Sequence, residues 1–337
     1  MSVPGRVRWG ILSTANIGIK RVIPAIQSGR RGMVTAIASR DAARGAEIAA
    51  RFGIGRSYGD YQSLLDDPEI DAIYNPLPNH LHVAWTVKAL RAGKHVLCEK
   101  PIGLCAREAQ ALIAERDACG RCVIEAFMVR HHPQWRRIRE LVRAGRIGGV
   151  RAIQSAFVFP VLDPMNVRNR ADIGGGSLYD VGCYPIVTAR YVFGAEPERV
   201  IALIDRDPVM RIDRLTGGLL AFPGGAQLAF QSATQLALYQ RVTILGSAGR
   251  IEVAVPFTPP KDHACRIVID DGSSLDGSSA VHEDFAAVDQ YALQCDTAAA
   301  VFAGEAEQEF PIEDAIANMR AIDALYRSGV SGTWEAP

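Results

Sequence analysis

The feature of this chain that most constrains its fold is a repeated alternation of short apolar strands and amphipathic helices, from residue 7 to residue 126. The predicted strands cover residues 7–12, 34–39, 72–74, 95–98 and 122–126. Repeated βα units of this length imply a parallel sheet with right-handed crossovers and helices on both faces. We therefore predict a doubly wound Rossmann domain over residues 1–127, in which ligands collect at the carboxyl ends of the strands.

The rest of the chain, residues 128–337, has a different pattern. Glycine-containing links at 223–225 and 246–249 are typical of hairpin turns. The predicted strands cover residues 150–159, 200–204, 217–222, 227–232, 242–245 and 251–255. The predicted fold class is α/β, with an N-terminal doubly wound parallel sheet and a C-terminal α+β domain that contains a large, mostly antiparallel sheet. We expect the second domain to bind substrate and to join copies of the chain into a homodimer or homotetramer through that sheet.

The composition excludes several classes of partner. Lys plus Arg equals Asp plus Glu at 37 each in 337 residues, so no overall field draws the chain to nucleic acid or to a membrane surface. No apolar run approaches the ~20 residues that span a bilayer, and the N-terminus lacks the apolar region of a signal peptide. Seven scattered cysteines fit reduced thiols better than a disulfide framework. We therefore expect a cytoplasmic protein that binds a small molecule.

The turn after the first strand has the spacing of a dinucleotide-binding fingerprint, but only one of its three glycines. Ser13 and Ala15 take the first two glycine positions, and Gly18 the third. Small residues still let the backbone approach a pyrophosphate, and the N-terminus of the following helix offers free N–H groups. The residues predicted to contact the cofactor here are Ser13, Thr14, Ala15, Asn16 and Ile17. A βα unit that binds nothing is the alternative.

The end of the second strand predicts which cofactor is bound. NAD-binding proteins usually carry Asp or Glu at this place, near the adenosine ribose, and NADP-binding ones carry Arg. Here the strand ends in Ser39-Arg40, and Arg44 follows one turn later. A hydroxyl and two guanidinium groups suit a 2′-phosphate better than a free 2′-OH, so we predict NADP rather than NAD. The alternative is that Asp41 only caps the next helix and Arg40 is a solvated neighbour.

A lysine follows the predicted strand 95–98, in the sequence Cys98-Glu99-Lys100-Pro101. This position lies at the ligand-binding edge of a doubly wound sheet. Because Pro101 restricts the residue before it to an extended conformation, the backbone would set the direction of Lys100. The tetrapeptide by itself fits a surface Glu–Lys pair before a helix equally well.

A rigid loop, residues 75–80, reaches the same predicted edge. It contains Pro76, Asn79 and His80. The two polar side chains can hydrogen-bond a ribose, the nicotinamide amide or a substrate, so all three residues are candidate cofactor contacts. Asn79 is equally plausible as the cap of the next helix.

A triple glycine at 174–176 introduces the informative stretch of the second domain. It leads into a helix with Ser177 as a candidate cap, on which Asp180 and Tyr184 are spaced i and i+4 and share a face. Pro185 cannot donate the usual helical hydrogen bond, which predicts a kink one turn earlier. The alternative is structural: Asp180 complements the helix dipole and Tyr184 fills half-buried space.

Three motifs together resemble the glucose–fructose oxidoreductase / inositol dehydrogenase family over essentially the whole chain. They are the turn from Ser13 to Gly18, the motif Glu99-Lys100-Pro101, and the motif Gly-Gly-Gly-x-Leu-x-Asp-x-Gly-x-Tyr that ends at Tyr184. The chain most resembles the branch of dimeric dihydrodiol dehydrogenases and NADP-dependent aldose 1-dehydrogenases, because Tyr184 stands where inositol dehydrogenases carry His.

The resemblance implies a role for each residue of these motifs. Lys100 is implied to contact nicotinamide and substrate, with Glu99 beside it in the cofactor site. Asp180 is implied to hold a substrate hydroxyl and Tyr184 to transfer the proton. Arg168 matches a basic residue that precedes the triple glycine in relatives and is implied to bind substrate.

Elementary electrostatics supports a Lys–Tyr pair as the acid/base machinery. A tyrosine pKa near 10 makes ionisation at pH 7 cost about 4 kcal/mol. A lysine ammonium about 4 Å away, at an effective dielectric of about 20, offsets about the same amount. We therefore predict an NADP-dependent oxidoreductase, without a metal, that acts on a small polyhydroxylated alcohol or carbonyl of the aldose C1 or cyclic diol type. The alternative is a non-catalytic, NADP-sensing regulatory protein of the same fold.

Overall fold

The structure is a computed structural model that describes residues 5–337. The chain forms two compact units. The first consists of the described part of Met1–Met128 and of Asp289–Ile316; the second consists of Val129–Val288 and Ala317–Pro337. The division predicted from the sequence, 1–127 and 128–337, has one boundary, whereas here a later segment returns to the first unit. The assignment of cofactor and substrate binding to the two domains remains a prediction.

The described residues of the first unit form a six-stranded parallel sheet in the order β3-β2-β1-β4-β5-β6. The strands are β1 (Val7–Leu12), β2 (Gly32–Ala38), β3 (Arg56–Tyr58), β4 (Ala72–Asn75), β5 (His95–Glu99) and β6 (Val123–Ala126). The helices are α1 (Ile23–Ser28), α2 (Ala42–Phe52), α3 (Tyr61–Leu65), α4 (His82–Arg91), α5 (Ala106–Ala109), α6 (Ala111–Cys119) and α9 (Gln290–Phe302). The predicted doubly wound sheet is confirmed, and its strand order reverses between β1 and β4, where such folds bind ligands.

The helix α9 explains why a late segment belongs to the first unit. Cys295, Ala298 and Ala299 on α9 are buried in one core with β1, β2 and α1. The Asp296 carboxylate accepts hydrogen bonds from the backbone N–H groups of Arg30 and Arg31, each at 3.0 Å. Small apolar residues allow close helix packing, and the carboxylate satisfies the backbone N–H groups of the turn between α1 and β2.

The described residues of the second unit form an eight-stranded sheet in the order β14-β13-β12-β11-β7-β10-β9-β8. The strands are β7 (Val150–Pro160), β8 (Arg199–Arg206), β9 (Asp213–Ala221), β10 (Gln227–Ala233), β11 (Gln235–Gly246), β12 (Gly249–Val253), β13 (Cys265–Asp270) and β14 (Val281–Phe285). The helices are α7 (Pro133–Arg143), α8 (Cys183–Phe193) and α10 (Ile312–Ser331), the last of which begins in the first unit. All neighbouring strands are antiparallel except β7 and β10, so the predicted mostly antiparallel sheet is confirmed.

Three strands were not predicted, and two of them lie at sheet edges. β3 and β14 are short and contain no buried residue, so they lack the apolar alternation that marks a strand. The third, β13, lies next to β14. Among the described residues, none of the helices is both long and apolar enough to cross a membrane.

Candidate active site

The predicted site residues fall into two groups, one in each unit. In the first unit, the turn after β1 begins with Ser13, which has a left-handed backbone (φ +72°). Its N–H donates to the carbonyl of Ala38 at 2.8 Å, and its hydroxyl accepts from Ala15 N–H at 3.2 Å. Ser13 thus adopts the left-handed backbone that a glycine would adopt at this position of the fingerprint. For a non-glycine residue this conformation costs roughly 1–2 kcal/mol.

The helix after this turn begins with an irregular turn. It becomes helical at Asn16 and continues as a π-helical turn, Gly18–Val22, into α1. Within residues 5–337, no side chain caps the π-helical turn, and its first turn holds no acidic residue. The positive end of the helix dipole therefore lies next to the small residues of the turn, an arrangement that suits a phosphate.

At the end of β2 the exposed cation is Arg40. Its guanidinium lies beside the Tyr61 hydroxyl, where it lowers the pKa of Tyr61 against the larger, raising effect of burial. Ser39 is buried, and its hydroxyl accepts from the N–H of Asp41 at 3.2 Å. Arg40 is thus exposed to solvent beside Tyr61, whereas the Ser39 hydroxyl already takes part in a hydrogen bond within the turn.

The neighbouring residues of α2 are engaged with one another. Asp41 caps the helix by accepting from Arg44 N–H at 2.9 Å. The role of Asp41 as a helix cap, one part of the alternative stated above, is therefore confirmed. The Arg44 guanidinium is paired with Glu47 at 2.7 Å, with both side chains exposed. A second phosphate contact from Arg44 would therefore have to compete with Glu47.

A buried polar network joins the loop after β4 to the turn that carries Lys100. His82, at the start of α4, is only 1% exposed, and its Nδ1 and Nε2 lie 2.7 Å and 2.6 Å from the carbonyl oxygens of Pro101 and Leu77. The Asn75 amide donates to the carbonyl of His82 at 3.1 Å and to the Thr86 hydroxyl at 3.2 Å. Neither His82 nor Asn75 stands out in the sequence as a candidate site residue.

The backbone on both sides of Lys100 is held by further contacts. The Tyr74 hydroxyl donates to Glu99 Oε1 at 2.7 Å, and burial raises the pKa of Tyr74 far above its usual value, so the hydroxyl remains a donor. On the other side, the N–H of Ile102 donates to Glu125 Oε1 at 2.8 Å. The Lys100–Pro101 peptide bond is cis. The contacts of Glu99 and Ile102 hold the chain on either side of this peptide bond in place.

The loop between β4 and α4 carries three predicted cofactor contacts, Pro76, Asn79 and His80. Pro76 is buried, and Asn79 and His80 lie in a 3-10 turn, Asn79–Leu81. Because Leu81 occupies the cap position of α4, the helix-cap alternative for Asn79 is wrong. Among the described residues, the buried Nδ1 of His80 has no hydrogen-bond partner. A buried nitrogen without a hydrogen-bond partner costs free energy, so this position suits a ligand group that hydrogen-bonds to Nδ1.

We expect His82 to make the protein less stable as the pH falls. Burial lowers its pKa from 6.5 to about 4, against the opposing effect of the two carbonyl neighbours. Between these two values the unfolded chain binds a proton that the folded chain does not, so acid favours unfolding. The loss is about 2 kcal/mol at pH 5, or about 4–8 °C in Tm.

The measurement is the fall in Tm between pH 7 and pH 5, which should be smaller in His82→Gln than in the parent protein. His263→Gln is the control, because the His263 side chain is 74% exposed. If His82→Gln lost as much stability on acidification as the parent, His82 would not contribute to the acid sensitivity.

In the second unit, the glycines at 174–176 let the segment that carries Arg168 pack closely. A Cβ on Gly175 would lie 2.6 Å from the carbonyl oxygen of Arg168, and the N–H of Gly176 donates to that oxygen at 2.8 Å. The Arg168 Nε donates to Asp180 Oδ2 at 2.6 Å, with the two side chains 40% and 15% exposed. The structure therefore brings together Arg168 and Asp180, two of the predicted substrate-binding residues.

Tyr184 lies on the same helical segment as Asp180, with a buried ring. The ring packs edge-on against Phe157 and tilted against Phe257, each with centroids 5.5 Å apart. The segment starts as a π-helical turn, Leu178–Gly182, and continues as α8. The kink one turn before Pro185 remains a prediction, and its expected place falls within the π-helical turn. Ser177 does not cap this helix as predicted, since its hydroxyl bonds elsewhere.

Comparison with known proteins identifies both parts of the chain. The family model described as "Oxidoreductase family, NAD-binding Rossmann fold" matches residues 7–127, and the one described as "GFO/IDH/MocA C-terminal domain" matches residues 135–252. The chain is 50% identical over 329 residues to an uncharacterized oxidoreductase of Rhizobium meliloti, with 98% of each covered. It is 37% identical over 326 residues to D-xylose 1-dehydrogenase (NADP(+)) 2 of Haloferax volcanii, with 96% of this chain and 98% of the relative covered.

The fold is also shared with a solved enzyme. A 3-ketoreductase from Actinomadura kijaniata, crystallised with NADP and TDP-benzene, superimposes with a TM-score of 0.90 at 32% identity. The match covers 96% of this chain and 98% of that one. The two sheets and the helices around them are therefore common to both proteins.

Proposed function

The chain belongs to the GFO/IDH/MocA family of oxidoreductases, and from that premise we propose that it is an NADP-dependent enzyme acting on a small polyhydroxylated alcohol or carbonyl compound. The aldose C1 or cyclic diol type is the substrate class we favour. The observation that carries the proposal is the partly exposed Arg168–Asp180 pair, because Asp180 lies on the segment that also holds Tyr184. A paired carboxylate can accept a hydrogen bond from a substrate hydroxyl, which a sensor of NADP alone would not need.

The first unit offers groups suited to NADP. The helix that starts at Asn16 suits the pyrophosphate, Arg40 suits a 2′-phosphate, and the unpaired Nδ1 of His80 suits a polar group of the ligand. In the same proposal Glu99 and Lys100 contact the nicotinamide end. A relative named as an NADP(+) xylose dehydrogenase and a ketoreductase solved with NADP support this choice of cofactor.

The chemistry divides between the cofactor and the side chains. Bound NADP supplies the hydride acceptor or donor. In the oxidation direction Asp180, held by Arg168, accepts a hydrogen bond from one substrate hydroxyl, and Tyr184 takes the proton from the hydroxyl that becomes the carbonyl. The positive charge of Lys100 favours the ionised form of Tyr184 that this step requires. In the reduction direction Tyr184 returns the proton.

The test of this function is a screen of NADP⁺ reduction against aldoses, polyols and trans-dihydrodiols, with NADPH oxidation by keto sugars and their nucleotide-linked forms in parallel. We expect turnover in the first set, most of all with an aldose. Tight NADP binding without turnover of any compound would favour the alternative, a non-catalytic NADP-sensing protein. Turnover confined to nucleotide-linked keto sugars would reassign the substrate class.

We expect Arg40→Asp to invert the cofactor preference. A charge-assisted hydrogen bond to a 2′-phosphate is worth about 1.5–3 kcal/mol, which at ~1.4 kcal/mol per decade gives the parent a ~10- to 100-fold preference for NADP over NAD. An aspartate repels the phosphate and accepts from a free 2′-OH. Fluorescence titration with NADPH and NADH measures both affinities.

The matched control for this experiment is Arg51→Asp, which makes the same charge change in the last turn of α2. It should keep the parent's preference, apart from a small effect that salt removes. Equal affinities for the two cofactors in the parent, or an Arg40→Asp variant that still prefers NADP, would remove Arg40 from the cofactor site.

We also propose that the eight-stranded sheet joins two or four copies of the chain. Leu203 on β8 and Leu238 and Tyr239 on β11 are large apolar side chains exposed to solvent. Apolar side chains on a broad sheet suit an interface between identical subunits. Sedimentation velocity should show a dimer or tetramer, and Leu238→Glu should shift the protein toward the monomer; a monomeric parent would contradict the proposal.

A further inference from the structure

A buried carboxylate outside the predicted site holds the start of the helix on which Asp180 and Tyr184 lie. Asp213, the first residue of β9, is 1% exposed. Its Oδ2 accepts from the N–H of Leu178 at 2.6 Å, from the Ser177 hydroxyl at 2.9 Å and from the Thr216 hydroxyl at 3.2 Å. Leu178 N–H is one of the orphan donors of a helix start, so a residue 35 positions away along the chain supplies the cap.

The other oxygen of Asp213 is also engaged. The hydroxyl of Tyr326, on α10, donates to Oδ1 at 2.9 Å. Gly176 has a positive φ of +123°, and a Cβ there would lie 1.9 Å from Oδ1. The third glycine of the triple glycine therefore leaves room for this carboxylate, a reason that differs from the one that applies to Gly175.

This arrangement is more than a local cap. Had Ser177 capped the helix itself, the first turn would have been satisfied without reference to the sheet. With Asp213 as the acceptor, the first turn is tied to β9 and, through Tyr326, to α10. Asp180 lies two residues after Leu178, so its place relative to the sheet depends on this link.

We propose that Asp213 is a positioning residue, which sets the place of Asp180 and Tyr184 by fixing the first turn of their helix to the sheet. This inference rests on the function proposed above. A misplacement of catalytic groups by about 1 Å can cost about 10²-fold in rate. Loss of Asp213 should therefore lower kcat while the affinity for cofactor stays close to that of the parent.

Two substitutions of similar size separate hydrogen bonding from charge. In Asp213→Asn the amide oxygen can take the place of Oδ2, and the amide nitrogen can donate to the Tyr326 hydroxyl, which then accepts. In Asp213→Leu none of these bonds forms. We expect kcat to fall by about 10- to 100-fold in the leucine variant and by less than about threefold in the asparagine variant. NADPH affinity should be unchanged in both.

The matched control is Asp270→Leu. Asp270 is likewise 1% exposed in the same sheet, and it accepts from the N–H of Gly272 and the Ser279 hydroxyl, each at 2.7 Å. It should lower Tm while kcat, measured at a temperature where the protein is folded, stays near that of the parent. A normal kcat in Asp213→Leu, or an equal loss in Asp270→Leu, would overturn the proposal.

Hydrogen exchange tests the same link without any substrate. Amides of residues 178–184 should exchange faster in Asp213→Leu than in the parent, in Asp213→Asn and in Asp270→Leu. Unaltered exchange there contradicts the inference, whereas a parent without sugar dehydrogenase activity contradicts only the proposed function. If Asp213→Leu does not fold, Asp213→Ala decides, because it also leaves Leu178 N–H without its acceptor but adds no bulk; unaltered kcat and exchange in that variant would also overturn the proposal.

Discussion

Tyr184→Phe is expected to lower kcat by about 10²- to 10⁴-fold while cofactor affinity hardly changes. That range is the usual worth of a general acid/base, and the substitution removes only the hydroxyl. The phenyl ring keeps its contacts with Phe157 and Phe257, so the fold should survive. The measurement is kcat on the best substrate of the screen, with NADPH affinity measured in parallel.

Tyr191→Phe is the matched control for this prediction. Tyr191 lies on the same helix, α8, with a buried ring and the Arg139 guanidinium over it. Removal of its hydroxyl should leave kcat near that of the parent. If Tyr184→Phe turned over within a few-fold of the parent on a good substrate, another group would have to transfer the proton.

Lys100→Met is expected to lower kcat by about 10²- to 10³-fold and to raise the pH at which Tyr184 ionises. The substitution keeps the length of the side chain and removes the charge, whose effect on a nearby tyrosine is about 4 kcal/mol before water and Asp180 offset part of it. In the reduction direction, where Tyr184 must hold its proton, the alkaline limb of the kcat profile should move to higher pH.

Lys88→Met makes the same chemical change at an exposed position of the first unit, where the ammonium lies over the Trp85 ring. It should leave both rate and pH profile as in the parent. A Lys100→Met variant with a normal rate and an unshifted pH profile would mean that Lys100 takes no part in catalysis and that the motif around it is structural.

The two substitutions also test whether Lys100 acts through Tyr184. If it does, Lys100→Met should cost little more in a protein that already carries Tyr184→Phe, because the group it assists is gone. Independent contributions would instead multiply in the double variant. Full multiplication of the two losses would show that Lys100 contributes mainly by another route, such as binding nicotinamide.

Much of the architecture follows from the sequence alone. Alternating apolar strands and amphipathic helices determine a parallel sheet, because βα units connect with one hand and must cover both sheet faces. The same logic places Ser13 after β1 and Lys100 after β5, at the carboxyl ends of strands that β4 separates in the sheet. The spacing of Asp180 and Tyr184 puts them on one helical segment. These are short-range rules, in which each residue's neighbours along the chain carry the information.

Only the tertiary structure decided the contacts made between distant segments. Asp296 joins α9 to the first unit, Asp213 rather than Ser177 caps the helix of Tyr184, and His82 ties two loops together. In each case a polar side chain satisfies backbone groups from a different part of the chain, and no local pattern marks which donor or acceptor it will meet. Burial is what selects these partners, since a polar group withdrawn from water must find one, and burial exists only once the chain has folded.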